Sequence, residues 1–139
     1  MRSGENFGYD DERGDYKFVV GDHISYRYEV IGMLGTGTFG QVVKVLDHKT
    51  QKHKALKIIR NKKRFHKQGA VEIEILETLK KQDSKGEYNC VKLLHHFYFR
   101  KHLCLIFDLL NINLYEFMKL NNFNGISLSL IRRFAIQLI

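Results

Sequence analysis

The chain contains no proline. Average usage near 5% would give about seven in a chain of this length. A chain with few tight loops can be proline-poor, so the absence restrains turn chemistry rather than fold class. Cysteine is almost as scarce. Cys90 and Cys104 stand 14 apart, and Cys104 falls in an apolar stretch, so neither a disulfide framework nor a metal knuckle is expected. No run approaches transmembrane length, and the opening Met1-Arg2-Ser3-Gly4-Glu5 is polar and unlike a signal peptide. These absences point to a reducing, intracellular compartment, cytoplasm or nucleus, with no membrane partner. No internal repeat or low-complexity segment is visible. The seven histidines are scattered, His95-His96 reads as a strand pair with one side exposed, and no metal ligand set is expected.

What is present suits one domain or one lobe. The chain has 139 residues, 44% of them hydrophobic, which is enough to bury a core. The net charge of +8 is unevenly spread. Residues 1–22 carry six acidic side chains against three basic ones, a net of −3, whereas residues 44–67 carry ten Lys or Arg against Asp47, a net of +9. An acidic leader beside a basic body invites docking of one on the other. The run Arg60-Asn61-Lys62-Lys63-Arg64 has the composition of a nuclear-import or nucleic-acid patch, but it reads as a solvated strand–helix link. No aromatic platform of RNA-binding modules accompanies it, so nucleic acid is not expected as a partner.

The richest local signal is Gly35-Thr36-Gly37-Thr38-Phe39-Gly40-Gln41-Val42. By itself G-x-G-x-x-G serves dinucleotide sites, kinases and ordinary hairpins. The flanks discriminate. In a dinucleotide site the third glycine opens a helix; here Gln41 to Val45 is β-branched and alternating, with Lys44 between Val43 and Val45, which suits a strand. Tyr28 to Leu34 also reads as a strand. Strand, glycine turn, strand lets backbone N–H groups approach phosphate oxygens without a Cβ in the way. Phe39, at the tip, is expected to cap bound phosphates against water.

Lys57 sits in the middle of the apolar strand Ala55-Leu56-Lys57-Ile58-Ile59. A lysine there is costly unless its charge meets a partner. Glu72 lies in a helical stretch over 65–82, where Val71, Ile75 and Leu79 recur every four residues and Leu76 completes an apolar face. Glu72 flanks that stripe and is the expected partner of Lys57. Glu74 and Glu77 read as solvent-facing.

With these residues in view the chain resembles a protein kinase N-terminal lobe, and more closely the class II branch of the dual-specificity tyrosine-regulated kinases (the DYRK family). Tyr9-Asp10-Asp11-Glu12-Arg13-Gly14-Asp15-Tyr16 with Gly21-Asp22 and Arg27-Tyr28-Glu29 resembles the family's homology box. Phe39 to Val45 with Asp47-His48-Lys49, then Ala55 to His66, resembles its glycine loop, second and third strands. Phe107-Asp108-Leu109-Leu110 with Asn113-Leu114-Tyr115-Glu116 resembles its hinge, and Ser127 to Phe134 the start of its next helix. Thr36 and Thr38 replace the more usual Lys and Ser, and Asp108 replaces the usual hinge Glu. The family's H-x-D-x-K-x-x-N loop, D-F-G triplet and activation-loop tyrosine have no counterpart among these residues.

The resemblance implies an α+β fold. A five-stranded antiparallel sheet near 28–35, 40–48, 53–61, 91–99 and 103–108 would carry the αC helix, with the hinge, a short helix from Asn113 to Asn121 and a final helix capped by Ser127, whose Leu130, Phe134 and Leu138 share a face. Residues 1–27 would be an extended acidic leader bracing the lobe and 28–139 a truncated kinase domain. ATP is the implied cofactor, gripped by Leu34, Gly35, Thr36, Gly37, Thr38, Phe39, Gly40, Gln41, Val42, Ala55 and Lys57. Phe107 would be the gatekeeper, Asp108, Leu109 and Leu110 the adenine-contacting hinge, and Asn113 a ribose contact. Leu76 and Leu93 would join the lobe's internal apolar stack. Lys57 and Glu72 would form the catalytic ion pair; the general base and the Mg²⁺ ligands are expected in a C-lobe outside these residues. The implied activity is Ser/Thr phosphorylation of protein substrates and Tyr autophosphorylation by the parent enzyme, with the 139-residue chain itself inactive. The alternative is a non-catalytic form that binds nucleotide or a partner.

Overall fold

A computed structural model describes residues 5–83, 85 and 92–109. After a 3-10 turn at Glu5–Gly8 come β1 (His23–Ile24), β2 (Tyr28–Gly37), β3 (Gly40–Asp47), β4 (Lys52–Ile59), α1 (Lys63–Gln82), β5 (Leu93–Phe99) and β6 (His102–Asp108). The strands form one antiparallel sheet in the order β1-β2-β3-β4-β6-β5. The expected α+β architecture is present, with a sixth strand beyond the five foreseen. β1 is only two residues long and pairs His23 with Glu29 and Ile24 with Tyr28.

Alternation places the core. Val43 and Val45 are fully buried on one face of β3, opposite Leu56 and Lys54 on β4, while Lys44 points the other way. Leu56, Ile58, Cys104 and Ile106 extend that face, and Tyr16, Ile24 and Tyr28 close over it. The leader is therefore not merely extended. It turns at Gly14 (φ 86°), where the Asp11 carboxylate accepts the amide N–H of Arg13 and Asp15, and it contributes its own core residues. Burying a side chain of this size stabilises the fold by roughly 1.5–3 kcal/mol, so Tyr16 and Ile24 are strong anchors. The other face holds Ile59, Phe65, Leu93, Leu103 and Leu105 beneath α1. β6, flanked by strands and covered on both faces, is buried from His102 to Ile106. Burial of its Cys104 thiol pushes that group up to about 12, which makes it an inert apolar side chain.

The helix corrects one expectation. Val71 and Ile75 are each 55% exposed and Leu79 is 36% exposed. The sheet-facing line is instead Phe65, Gly69, Ile73 and Leu76, with Glu72 at its edge. A four-residue recurrence marks an apolar line but not which line meets the sheet. Gly69 decides that: a Cβ there would stand 2.7 Å from Leu103 Cδ2, so the helix approaches closest at its one residue without a side chain. Leu76 and Leu93 do join one cluster, as expected. Cys90, Leu110, the hinge-following helix, Asn113 and the final helix lie outside the described residues.

Candidate functional site

The β2–β3 hairpin carries the glycine run. Thr36 pairs with Gln41 and Gly37 with Gly40, so the turn is the two residues Thr38-Phe39. Gly40 has φ 143°, and a Cβ there would strike the Ile58 carbonyl. Only glycine fits that position. The Arg60 amide donates to Phe39 O at 2.7 Å, tying the hairpin tip to the end of β4.

β3 and β4 then bring the cleft face together. Val42 lies directly across from Lys57, and Lys44 from Ala55, which in turn lies across from Phe107 of β6. Cross-strand partners share a face, so Val42, Ala55, Lys57 and Phe107 line one side of the sheet below the hairpin. Lys57 Nζ donates to both carboxylate oxygens of Glu72 at 3.0 Å. The Lys57 side chain is 18% exposed and Glu72 38%, so the pair is half-sheltered and open to a ligand from one side. Sequence reasoning paired these residues correctly across 15 positions.

Two side chains, Phe39 and Gln41, sit differently from expectation. Phe39 does not stand out at the tip. Its ring is turned under the hairpin against the Ile59–Leu103–Leu105 cluster, with Lys57 Nζ 4.4 Å from the ring centroid. The apolar cluster and the cation both attract the ring. Gln41 is buried and turned away from the cleft, where its Nε2 donates to Tyr16 O. Alternation requires this, since Gln41 neighbours Val42 on the strand. Asp108 is exposed and pairs with Lys54 at 3.2 Å, and Leu34 is 49% exposed. Gly35, Thr36, Gly37 and Thr38 occupy the hairpin as foreseen, and Leu109 follows β6.

Behind the hairpin the acidic leader is locked to the basic body. Arg60 makes a two-pronged contact with Asp15, Nε–Oδ1 3.1 Å and Nη2–Oδ2 3.0 Å, and these side chains are 12% and 15% exposed. The Asp15 carboxylate holds the Arg60 guanidinium above its usual range. The Asn61 amide donates to Gly14 O, and Asn61 Nδ2 to Asp10 Oδ2. His102 is 1% exposed and bridges three segments, Nε2 to Asp10 and Nδ1 to Ile59 O at 2.8 Å. Arg100 donates to the Tyr16 hydroxyl and covers the Tyr9 ring at 3.9 Å. The charge asymmetry of the sequence signalled that docking would occur, but gave none of these partners. A cavity of about 670 Å³ remains between leader and hairpin, lined by Arg13, Lys17, Thr36, Thr38 and Gln41 among others. Lys57 and Glu72 lie on the opposite side of the sheet.

A glycine hairpin over a strand lysine that pairs with a helix glutamate is the constellation by which protein kinases hold nucleotide phosphates. A family model described as "Protein kinase domain" matches residues 28–139. The chain is 53% identical over 134 residues to dual specificity tyrosine-phosphorylation-regulated kinase 2 of Drosophila melanogaster, covering 96% of this chain and 19% of that one. It is 56% identical over 131 residues to kinase 4 of the same name in Homo sapiens (94% and 25%), and 55% identical over 134 residues to the DYRK-family kinase pom1 of Schizosaccharomyces pombe (96% and 12%). The chain belongs to the protein kinase family, among its DYRK members. It spans between 12% and 25% of the length of these relatives. Protein kinases in general use ATP with Mg²⁺. Among the described residues no helix is long and apolar enough to cross a membrane.

Proposed function

We propose that this chain supplies the ATP grip of a dual-specificity protein kinase. The observation that carries the reading is the two-pronged Lys57–Glu72 contact beneath a glycine hairpin. Glu72 fixes the Lys57 ammonium at a defined point on the cleft face, where it would hold the α- and β-phosphates. Backbone N–H groups of Gly35 to Gly40 would lie against the remaining phosphate oxygens. Leu34, Val42 and Ala55 would sandwich the adenine, with Phe107 at its rear. Backbone groups of Asp108, Leu109 and Leu110 would bond its edge, and Asn113 would reach the ribose. The fit to a nucleotide is supported by the apolar, half-open face that Val42, Ala55 and Phe107 share, with one paired cation at its end. The Phe39 ring lies over that cation and would have to lift for phosphates to reach it.

ATP supplies the phosphoryl group that the parent enzyme would transfer to Ser or Thr of protein substrates and to its own Tyr. None of residues 1–139 is assigned the general base or the Mg²⁺ ligands. Residues 1–27 would act as a brace of the domain at 28–139.

The test is nucleotide binding to the full chain by calorimetry. Lys57→Ala removes one charge-assisted contact, about 1.5–3 kcal/mol, and should weaken ATP binding roughly 10- to 100-fold. Equal ATP affinity in the wild type and Lys57→Ala would overturn the reading.

A further inference from the structure

We propose that His23, Glu29 and His48 form a site for a zinc-class divalent cation, separate from the nucleotide cleft. The three residues are 6 and 19 positions apart, which hides them in the sequence. The sheet brings them together. His23 of β1 is the Cα partner of Glu29 on β2. His48 follows β3, and its amide N–H donates to Arg27 O at 3.0 Å, which sets it beside the start of β2.

The side chains converge accordingly. His48 Nε2 lies 2.9 Å from Glu29 Oε2. The His23 and His48 rings are near-parallel, 15° apart in plane with centroids 5.2 Å apart. One nitrogen of each ring and one Glu29 oxygen all lie within 4.8 Å of one another. Zinc binds imidazole nitrogen and carboxylate oxygen at about 2.0–2.2 Å, so donors around one ion stand roughly 3.3–3.5 Å apart. The Glu29–His48 separation of 2.9 Å is a hydrogen-bond distance just short of that span, so the pair opens by roughly half an ångström to admit an ion. His23 needs only a side-chain rotation, and both histidines are exposed and free to make it. The backbones are held by ladder hydrogen bonds, so the ligand order is fixed before the ion arrives.

The donor set selects the metal. Two imidazoles and one carboxylate suit Zn²⁺ and also Cu²⁺ or Ni²⁺, with Cu²⁺ intrinsically the tightest; Mg²⁺ and Ca²⁺ prefer all-oxygen shells. Three protein ligands leave a fourth position to water. The neighbouring cation Arg27 does not oppose the ion directly, because its guanidinium is engaged in both directions by the Asp47 carboxylate at 2.8 and 2.9 Å. The site sits at the end of the β2–β3 hairpin opposite its glycine turn, eight β3 residues away, roughly 25 Å at 3.3 Å per residue. A bound ion would staple β1, the last element of the leader, to the sheet.

The experiment is Zn²⁺ titration of the chelator-treated full chain by calorimetry, with Co²⁺ absorption as a second readout of coordination. We expect one ion per chain with a dissociation constant of about 10 µM or tighter. His23→Ala and His48→Ala should each weaken it about tenfold or more, and Glu29→Gln likewise. His95→Ala/His96→Ala should leave it unchanged. Zn²⁺ should raise the melting temperature of the wild type by a few degrees and not that of His48→Ala. The replaced side chains are exposed or half-exposed, and circular dichroism verifies that each variant folds. Binding weaker than about 100 µM, or binding that survives His23→Ala/His48→Ala, overturns the proposal.

Discussion

The contact between Asp15 and Arg60 decides whether the leader is a brace or a bystander. Both side chains are almost sheltered, at 15% and 12% exposure, and two near-parallel N–H···O bonds of 3.1 and 3.0 Å join them. An exposed ion pair contributes about 0.2–1 kcal/mol. A hydrogen bond to a charged group contributes about 1.5–3 kcal/mol. Two such bonds in partial shelter place the coupling near 2 kcal/mol, the lower part of that range because some solvent screening remains. A double-mutant cycle with Asp15→Ala, Arg60→Ala and the pair isolates this value from the other contact of the Arg60 guanidinium, whose Cζ lies 5.6 Å from the Phe65 ring centroid. Urea unfolding followed by circular dichroism measures it in the full chain. Arg60→Ala should also speed proteolytic cleavage within residues 1–22, because the Asn61–Gly14 bond beside it loses its support. A coupling below about 0.5 kcal/mol, with unchanged cleavage, would refute the reasoning and leave the leader held by its buried Tyr16 and Ile24 and by the hydrogen bonds to Asp10, Gly14 and Tyr16.

Other outcomes follow from single contacts. The Arg27 guanidinium, with the Lys49 amide and the Thr50 hydroxyl, holds the 2%-exposed Asp47 carboxyl well below the usual carboxylate range. Its stabilisation is therefore complete above the unfolded carboxyl pKa, about 3.9, and declines as pH falls below it. Asp47→Asn should cost about 3 kcal/mol at neutral pH and flatten the acid side of a stability–pH curve; an unchanged acid limb would contradict this. Phe39→Ala should tighten ATP binding several-fold if the ring covers Lys57 in solution, read by calorimetry; weaker binding would mean the ring serves the nucleotide. For the rotation of α1, Leu76→Ala should cost about 2 kcal/mol in urea unfolding and Ile75→Ser less than about 0.5. The reverse order would mean that the stripe of Val71, Ile75 and Leu79 is the buried one.

The sequence by itself determined the strands that flank the glycine run, the helix carrying Glu72, the Lys57–Glu72 pair and the sign of the leader–body attraction. These rest on short-range rules. A strand alternates, a helix repeats every 3.6 residues, and a lysine within an apolar strand needs a partner. The same alternation, read one residue further, would have turned Gln41 away from the cleft. What only tertiary structure decided depends on how surfaces meet. The rotation of α1 was set by the close approach at Gly69, not by its most regular apolar line. The direction of Phe39 was set by a cluster assembled from β4 and β6. The bridge from Asp10 through His102 to Ile59 joins residues up to 92 positions apart, and His23, Glu29 and His48 meet because three strand ends lie side by side. Local periodicity states which residues share a face; only the packed sheet states what that face touches.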